Sequence, residues 1–341
     1  MNIFESTFEK HKQLMMEAQK FTSREKVDGD KFNKSIPGLT NQEVKNYKIK
    51  FGQMMKKDLG SFVRELQSAI GDSKVQRFLV AAQSDGTKDD DDVDIGEQVI
   101  QVSNLIPTQN EVFLEKSLDF PLNKQQDNIV SYIKNGYGKM PRIVVSGNYI
   151  IDGHHRWSQI YCLNAEAVIP VYNVTFSGKE NPDEILKKMH LAISATTGTV
   201  PLSPGESKDT DLFKVDETTF SAWIHKNVDK NEYALEAFKT VEDDMKQKIS
   251  SSSSGDEKVP TNEADGVELV TNVVIPYLWK NILQLKQQPG KYPRSIMPQT
   301  EKDSDINKFV GNLKSGNINV DPMTETLFES TFNKFKNLYT K

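Results

Sequence analysis

The sequence has little cysteine and no long apolar run, and each shortage excludes a class of protein. The single cysteine, Cys162, excludes an intramolecular disulfide framework and a multi-cysteine zinc site, and it suits a reducing compartment. No apolar stretch reaches the roughly 20 residues that a transmembrane helix needs. The opening residues MNIFESTFEKHKQLMMEAQK lack the basic, apolar and small-residue order of a signal peptide. We therefore expect a cytoplasmic protein that has no membrane partner.

Positive charge is also in short supply. The 341 residues include 48 acidic and 43 basic side chains, which gives a net charge of −5. Phosphate neutralisation by a protein that coats nucleic acid needs clustered lysine and arginine. Nucleic acid is therefore not the favoured partner, although a local basic groove stays open. The length allows two domains, or one domain with sizeable extensions.

A short segment is present twice, once near each end of the chain. FESTFEKHKQL begins at Phe4, and FESTFNKFKNL begins at Phe328. The i, i+4 spacing predicts amphipathic helices that present Phe4 with Phe8, and Phe328 with Phe332. Either two terminal helices pack on the core, or the repeated Glu-Ser-Thr surface marks two copies of a docking helix for a protein partner. Such helices resemble the head-targeting peptides of internal proteins in large tailed phages, which implies a structural or interaction protein of the host cytoplasm or virion.

Residues 1–94 are predicted to be helical and to end in an acidic loop. Thr40 is predicted to cap a helix in TNQEVKNYKIKFGQMM, and a helical hairpin is favoured there over a helix-turn-helix. QSDGTKDDDDVDIGE is predicted to be a solvated loop, because its acids lack the spacing of a calcium-binding loop.

Residues 95–201 alternate between strand and helix patterns. QVIQVSNLIP from Gln98, PRIVVSGNYIIDG and AVIPVYNVTF are β-rich, and NKQQDNIVSYIKNG and NPDEILKKMHLAISATTG are helical, the latter capped by Asn181. This alternation predicts an α+β core with a small sheet.

Residues 202–341 are predicted to be helical again. A Ser-rich linker at 250–262 precedes GVELVTNVVIPYLWKNILQLKQQ, a hydrophobic helix that we expect to kink at Pro276. PGKYPRSIMPQT is then predicted to be extended, and no chemistry is assigned to it.

The stretch NYIIDGHHRWSQIY combines a strand, a turn and the start of a helix. Gly153 permits close approach of a ligand, and the helix N-terminus suits an anion. Arg156 can fork onto phosphate or carboxylate oxygens, and His154 and His155 can donate to an anion, transfer a proton or ligate a metal. For Asp152 three roles stay open: capping the helix, orienting a histidine, or holding magnesium through water.

From Gln98 to about Pro201, the sequence resembles the ParB/sulfiredoxin superfamily, and DGHHR is most similar to the branch with ADP-dependent free-serine kinases and phage ParB-like proteins. The resemblance implies a small mixed sheet that binds nucleotide phosphates at this turn, with ADP, ATP or CTP as ligand and magnesium as a candidate cofactor. It also implies that Gln109 lies near the nucleotide. Glu111 would be a candidate general base, with an exposed turn carboxylate as the alternative.

The sequence departs from the family in two places. ParB carries an acid, an asparagine and an arginine on a later helix, where MHLAISATTG offers His190, Ser194, Thr196 and Thr197. Sulfiredoxin has a cysteine at the turn, and this chain has none there. A CTP-dependent clamp and sulfinic-acid repair are therefore not expected.

Three hypotheses for function follow. The first is phosphoryl transfer or nucleotide hydrolysis, with catalytic groups drawn from Asp152, His154, His155 and Glu111. The second is a ParB-like nuclease. The third is a structural or interaction protein that binds a nucleotide or phosphorylated small molecule without turnover and docks through its terminal helices.

Overall fold

The computed structural model describes residues 36–81, 93–176, 181–200, 202, 208–251, 266–299, 303–315 and 318. Most of the acidic run and most of the Ser-rich linker lie outside the described residues. Both FESTF segments do as well, so the proposed roles of Phe4, Phe8, Phe328 and Phe332 stay predictions. Within the described ranges, no helix is both long and apolar enough to cross a membrane.

One five-stranded sheet forms the centre of the fold. Its strands are β1 Asp94–Gln101, β2 Ile106–Pro107, β3 Ile143–Ser146, β4 Tyr149–Asp152 and β5 Val168–Thr175. The spatial order is β1-β5-β3-β4-β2. The β1/β5 and β3/β4 pairs are antiparallel, whereas β3/β5 and β2/β4 are parallel. The sheet is therefore mixed, which confirms the predicted α+β class.

Helices flank this sheet before, between and after its strands. They are α1 Asn41–Met55, α2 Leu59–Ile70, α3 Ser73–Leu79, α4 Leu114–Asn123, α5 Asp127–Val130, α6 His154–Leu163, α7 Pro182–Thr197, α8 Glu217–Val228, α9 Glu232–Thr240, α10 Glu242–Ser250, α11 Gly266–Leu269, α12 Ile275–Leu285 and α13 Asp303–Lys314.

Strand β3 shows how the sheet separates two hydrophobic cores. Ile143 and Val145 pack with residues of α6 and the C-terminal helices α8 to α12. Val144 faces the other way and packs with α1, α2, α3, α7 and α13. Burial on both faces explains why this strand is a continuous apolar run rather than an alternating one.

The predicted helix starts at Thr40 and Asn181 are confirmed. The Thr40 side chain accepts a hydrogen bond from the backbone N–H of Glu43 at 3.2 Å. Asn181 likewise accepts from the N–H of Glu184 at 3.1 Å, and both glutamates return the bond to the capping residue. These capping boxes fix where α1 and α7 begin.

Two local predictions need correction, and one helix has no counterpart among the predictions. Strand β1 begins at Asp94, within the predicted acidic loop, because Asp94 to Gln101 pair in unbroken register with β5. Helix α4 was not predicted; Pro121 in its last turn obscures its pattern. The segment predicted to be extended contains a 3-10 turn at Arg294–Ile296.

Near the predicted kink, the helix widens into a π-helical turn at Val270–Val274, immediately before α12. Pro276 has no N–H, and its ring would clash with the carbonyl one turn earlier in a regular helix. The π turn accommodates the proline.

Candidate functional site

The turn between β4 and α6 depends on a glycine. Gly153 has φ +98°, and an added Cβ would lie 2.4 Å from the Cγ2 atom of Ile143. Only glycine fits both the angle and the space. The first intrahelical hydrogen bond of α6 runs from Trp157 N to Gly153 O at 3.0 Å. The three backbone N–H groups before Trp157 therefore have no acceptor within their own helix.

The two histidines of this turn hold the loop at residues 108–113. The Nε2 atom of His154 accepts hydrogen bonds from the backbone N–H groups of Thr108 at 3.2 Å and Gln109 at 3.3 Å. The Nε2 atom of His155 accepts from the N–H of Phe113 at 3.2 Å. Each imidazole is therefore neutral, with its proton on Nδ1.

Electrostatics favour the same protonation state. Burial, assisted by repulsion from Arg294, lowers the pKa of His154 to about 3. The same two causes, with a smaller contribution from Lys116, lower the pKa of His155 to about 3. Proton uptake at Nε2 would break the hydrogen bonds to the loop. Both histidines therefore have a structural role in holding the 108–113 loop. Their proposed catalytic role stays a prediction.

A hollow of about 170 Å³ opens in front of this turn. It brings together all five residues of the DGHHR motif and adds residues from two other segments. The lining residues are Gln109, Asp152, Gly153, His154, His155, Arg156, Arg294, Pro298 and Gln299. The volume is below the roughly 300–1,000 Å³ of sites that enclose a drug-sized ligand, so it suits a compact group.

Gln109 and Glu111 are placed differently, although they are close in sequence. Gln109 is buried, lines the hollow, and donates from Nε2 to the backbone carbonyl of Glu111. Glu111 is half-buried, and it is not one of the described residues that line the hollow. Burial lowers the pKa of Arg294 and the charge of Glu111 partly opposes this, so the two side chains are electrostatic neighbours.

Asp152 and Arg156 form an ion pair across the turn. The Arg156 Nη2 atom lies 3.6 Å from Asp152 Oδ2, and its Nη1 donates to the carbonyl of Arg142 at 3.0 Å. Gly153 occupies the N-cap position, and no side chain makes a cap hydrogen bond there. Capping, one of the three roles left open for Asp152, is therefore not the one that the structure shows, and the Arg156 guanidinium is one partner of its carboxylate.

Arg294 is a lining residue that the sequence did not reveal. Its segment runs beside the 108–113 loop: Tyr292 N donates to Thr108 O at 2.9 Å, and Asn110 N donates to Tyr292 O at 2.8 Å. At Gly290 an added Cβ would lie 2.2 Å from the carbonyl oxygen of Gln109, so only glycine allows this approach. The only signal in the sequence was a basic side chain in a proline-rich stretch, far from the motif.

The guanidinium of Arg294 lies 5.4 Å from the centre of the Phe113 ring. Arg294 is half-buried, and burial lowers its pKa. Among the residues that the structure describes, no carboxylate lies within ion-pair distance of its guanidinium, and no acceptor takes a hydrogen bond from it. Glu111 and Asp209 attract its charge from beyond ion-pair distance, but burial outweighs their attraction and leaves the pKa lowered.

The described ranges contain no group of three or more His, Cys, Asp or Glu side chains that could hold a metal ion. Asp152 is the one carboxylate among the lining residues named above. A magnesium ion here would need phosphate oxygens and water for most of its ligands.

Comparison of the chain with protein-family models, with curated proteins and with solved structures found no match.

Proposed function

We propose that the chain binds the phosphate group of a nucleotide or a phosphorylated small molecule in the hollow before α6. Arg156 and Arg294 would grip the phosphate oxygens, and the first N–H groups of α6 would face them. The observation that carries the proposal is Arg294, a half-buried cation that lines the hollow and has no ion-pair partner among the described residues.

The charge balance supports an anionic ligand. Among the described residues that line the hollow are two guanidinium groups and one carboxylate, while both histidines are neutral at physiological pH. A bound anion would offset the cost of partly burying the Arg294 guanidinium. Guanidinium groups can each donate two parallel hydrogen bonds to phosphate, and the helix dipole adds a favourable field.

The size of the hollow supports a phosphoryl group rather than a whole nucleotide inside it. A nucleoside would extend beyond the hollow, so its base would be recognised elsewhere or not at all. ADP, ATP and CTP stay the candidate nucleotides through the resemblance to the ParB/sulfiredoxin superfamily. Membership of that superfamily is itself part of the proposal.

A thermal-shift panel tests the proposal, because a ligand of the folded state raises the melting temperature. The panel contains inorganic phosphate, ADP, ATP and CTP, each with and without magnesium. We expect at least one phosphate compound to stabilise the wild type and to stabilise Arg294→Gln much less. Equal shifts in both proteins would place the ligand elsewhere, and no shift in the wild type would refute the proposal.

Phosphoryl transfer or nucleotide hydrolysis is the second candidate, and Asp152 favours it. Its carboxylate lines the same hollow beside Arg156, where it could accept a proton or hold magnesium through water. Phosphate release from ATP with magnesium should fall in Asp152→Asn while ATP binding persists. Undiminished release in that variant would remove Asp152 from the chemistry. A nuclease is less well supported because of the net charge of −5.

The repeated FESTF sequence favours an additional docking role for the two ends. An amphipathic helix at each end would insert its phenylalanines into a groove on a protein partner. Deletion of both segments should abolish partner association and leave phosphate binding intact. Unchanged association after both deletions would end this proposal.

A further inference from the structure

We infer that His190, on α7, is a positioning residue that fixes Arg294 over the hollow through the backbone of Ile296. The inference rests on the proposed binding of phosphate in the hollow. It adds a residue that does not line the hollow. His190 lies on the helix that follows β5, far in sequence from both the DGHHR turn and Arg294.

The contact that carries the inference joins an imidazole to a turn. The Nε2 atom of His190 lies 2.8 Å from the carbonyl oxygen of Ile296, so the imidazole donates to it. In the same 3-10 turn, Met297 N donates to Arg294 O at 3.1 Å. The hydrogen bond to the Ile296 carbonyl therefore helps to fix the orientation of the turn that begins with Arg294.

Arg294 lies between two anchors in the sequence. On its N-terminal side, Tyr292 is hydrogen-bonded to the backbone of the 108–113 loop at Thr108. On its C-terminal side, His190 holds Ile296 against α7. Because both attachments are made through the backbone, they set the path of the segment without occupying the arginine side chain.

A histidine at this position is costly, which argues that its hydrogen bond matters. The residue is completely buried in a helix whose neighbouring positions are mostly apolar. Burial lowers its pKa to about 4, so the ring is neutral at physiological pH. Its Nδ1 atom is buried and has no hydrogen-bond partner among the described residues. A leucine would avoid both penalties but could not hold Ile296.

Ser194 provides a matched control, because it lies one helical turn after His190 and is also fully buried. Its Oγ atom has no hydrogen-bond partner among the described residues. A substitution there disturbs the same stretch of α7 without touching the Ile296 contact. It therefore separates loss of this hydrogen bond from general disturbance of the core.

The test is calorimetric titration with inorganic phosphate of the wild type and of the variants His190→Leu, His190→Gln and Ser194→Ala. We expect His190→Leu to weaken phosphate binding by about tenfold. His190→Gln should recover most of the affinity, since its amide N–H can donate to the same carbonyl, and Ser194→Ala should match the wild type. His190→Met serves as a second apolar variant if the leucine variant does not fold.

A double-mutant cycle distinguishes positioning from a merely structural role. If His190 acts through Arg294, His190→Leu should cost no further affinity in an Arg294→Gln background. An equal loss in both backgrounds would overturn the inference. If Arg294→Gln weakens phosphate binding and neither His190→Leu nor His190→Met does, the inference alone fails. If the wild type does not bind phosphate, the proposed function fails and this inference fails with it.

Discussion

The Nε2 atom of His154 lies 3.3 Å from the backbone nitrogen of Gln109 and accepts its hydrogen bond, across 45 residues of sequence. This contact joins the start of α6 to the loop that contributes Gln109 to the lining of the hollow. His155 makes the equivalent contact with Phe113, and its ring stacks on that of Phe113 with centroids 5.7 Å apart. The paired histidines thus build the site in their neutral form.

The buried histidines predict a loss of stability in mild acid. The ordinary pKa is 6.5, whereas the pKa is about 3 for His154 and His155 and about 4 for His190. Below pH 6.5 these histidines bind protons in the unfolded chain but not in the folded protein, so acid favours unfolding. The contribution of the neutral histidines to the free energy of unfolding is fully present above pH 6.5. It is lost as the pH falls towards their pKa values in the folded protein. Each histidine should contribute about 1.4 kcal/mol per pH unit where only the unfolded state is protonated.

Urea unfolding at several pH values between about 5 and about 7 measures this effect, above the range where carboxylates dominate. The free energy of unfolding of His155→Gln should depend less steeply on pH than that of the wild type, because the variant has one fewer histidine that binds a proton on unfolding. A free energy of unfolding that stays constant over this range would contradict the neutral, buried state of the histidines.

Substitution of Gly153 should be strongly destabilising. In Gly153→Ala the backbone must keep φ near +98°, and the new methyl group would meet Ile143. We expect the free energy of unfolding to fall by about 2–4 kcal/mol. Gly147→Ala, which has φ +57° and open space around its Cβ, should cost less, and Gly71→Ala should be close to neutral. Chemical denaturation of the three variants checks the order, and equal effects at Gly153 and Gly71 would contradict it.

The β4–Gly153–α6 unit could be predicted because its signals are local. A β-branched run, an Asp-Gly turn and a helix pattern follow one another within a few residues. Gln109 was reached differently, through a resemblance to a family. Neither approach predicts the hydrogen bonds that His154 and His155 accept from the loop, because those depend on how a distant segment packs against the helix.

Arg294 could not be predicted for the same reason. The pairing of its segment with Thr108 joins two irregular stretches, and no periodicity in either one indicates the other. The sequence predicts the start of strand β1 at Gln98, four residues after its observed start, because acidic residues such as Asp94 and Glu97 are typical of loops. They belong to an edge strand, where charged side chains point to solvent and protect the open edge from pairing with other chains.

Arg156 should contribute to phosphate affinity and, more modestly, to stability. Arg156→Gln removes the charge beside Asp152 and the hydrogen bond to Arg142 O. We expect phosphate binding to weaken at least about tenfold and the free energy of unfolding to fall by about 1 kcal/mol. Phosphate titration and urea unfolding measure the two effects.

Arg142→Gln is the matched control, because it removes the same charge from a side chain that pairs with Glu97 at the surface. Arg142 is absent from the lining residues of the hollow. An equal loss of phosphate affinity in both variants would indicate a general effect of net charge rather than a contact with the ligand.

Calorimetric titration of inorganic phosphate into the wild type and into Arg294→Gln is the decisive experiment for phosphate binding in the hollow. We expect one phosphate per chain for the wild type and binding at least about tenfold weaker for the variant, because the phosphate loses the half-buried guanidinium as a partner. No measurable binding to the wild type, or equal affinity in the two proteins, would contradict it.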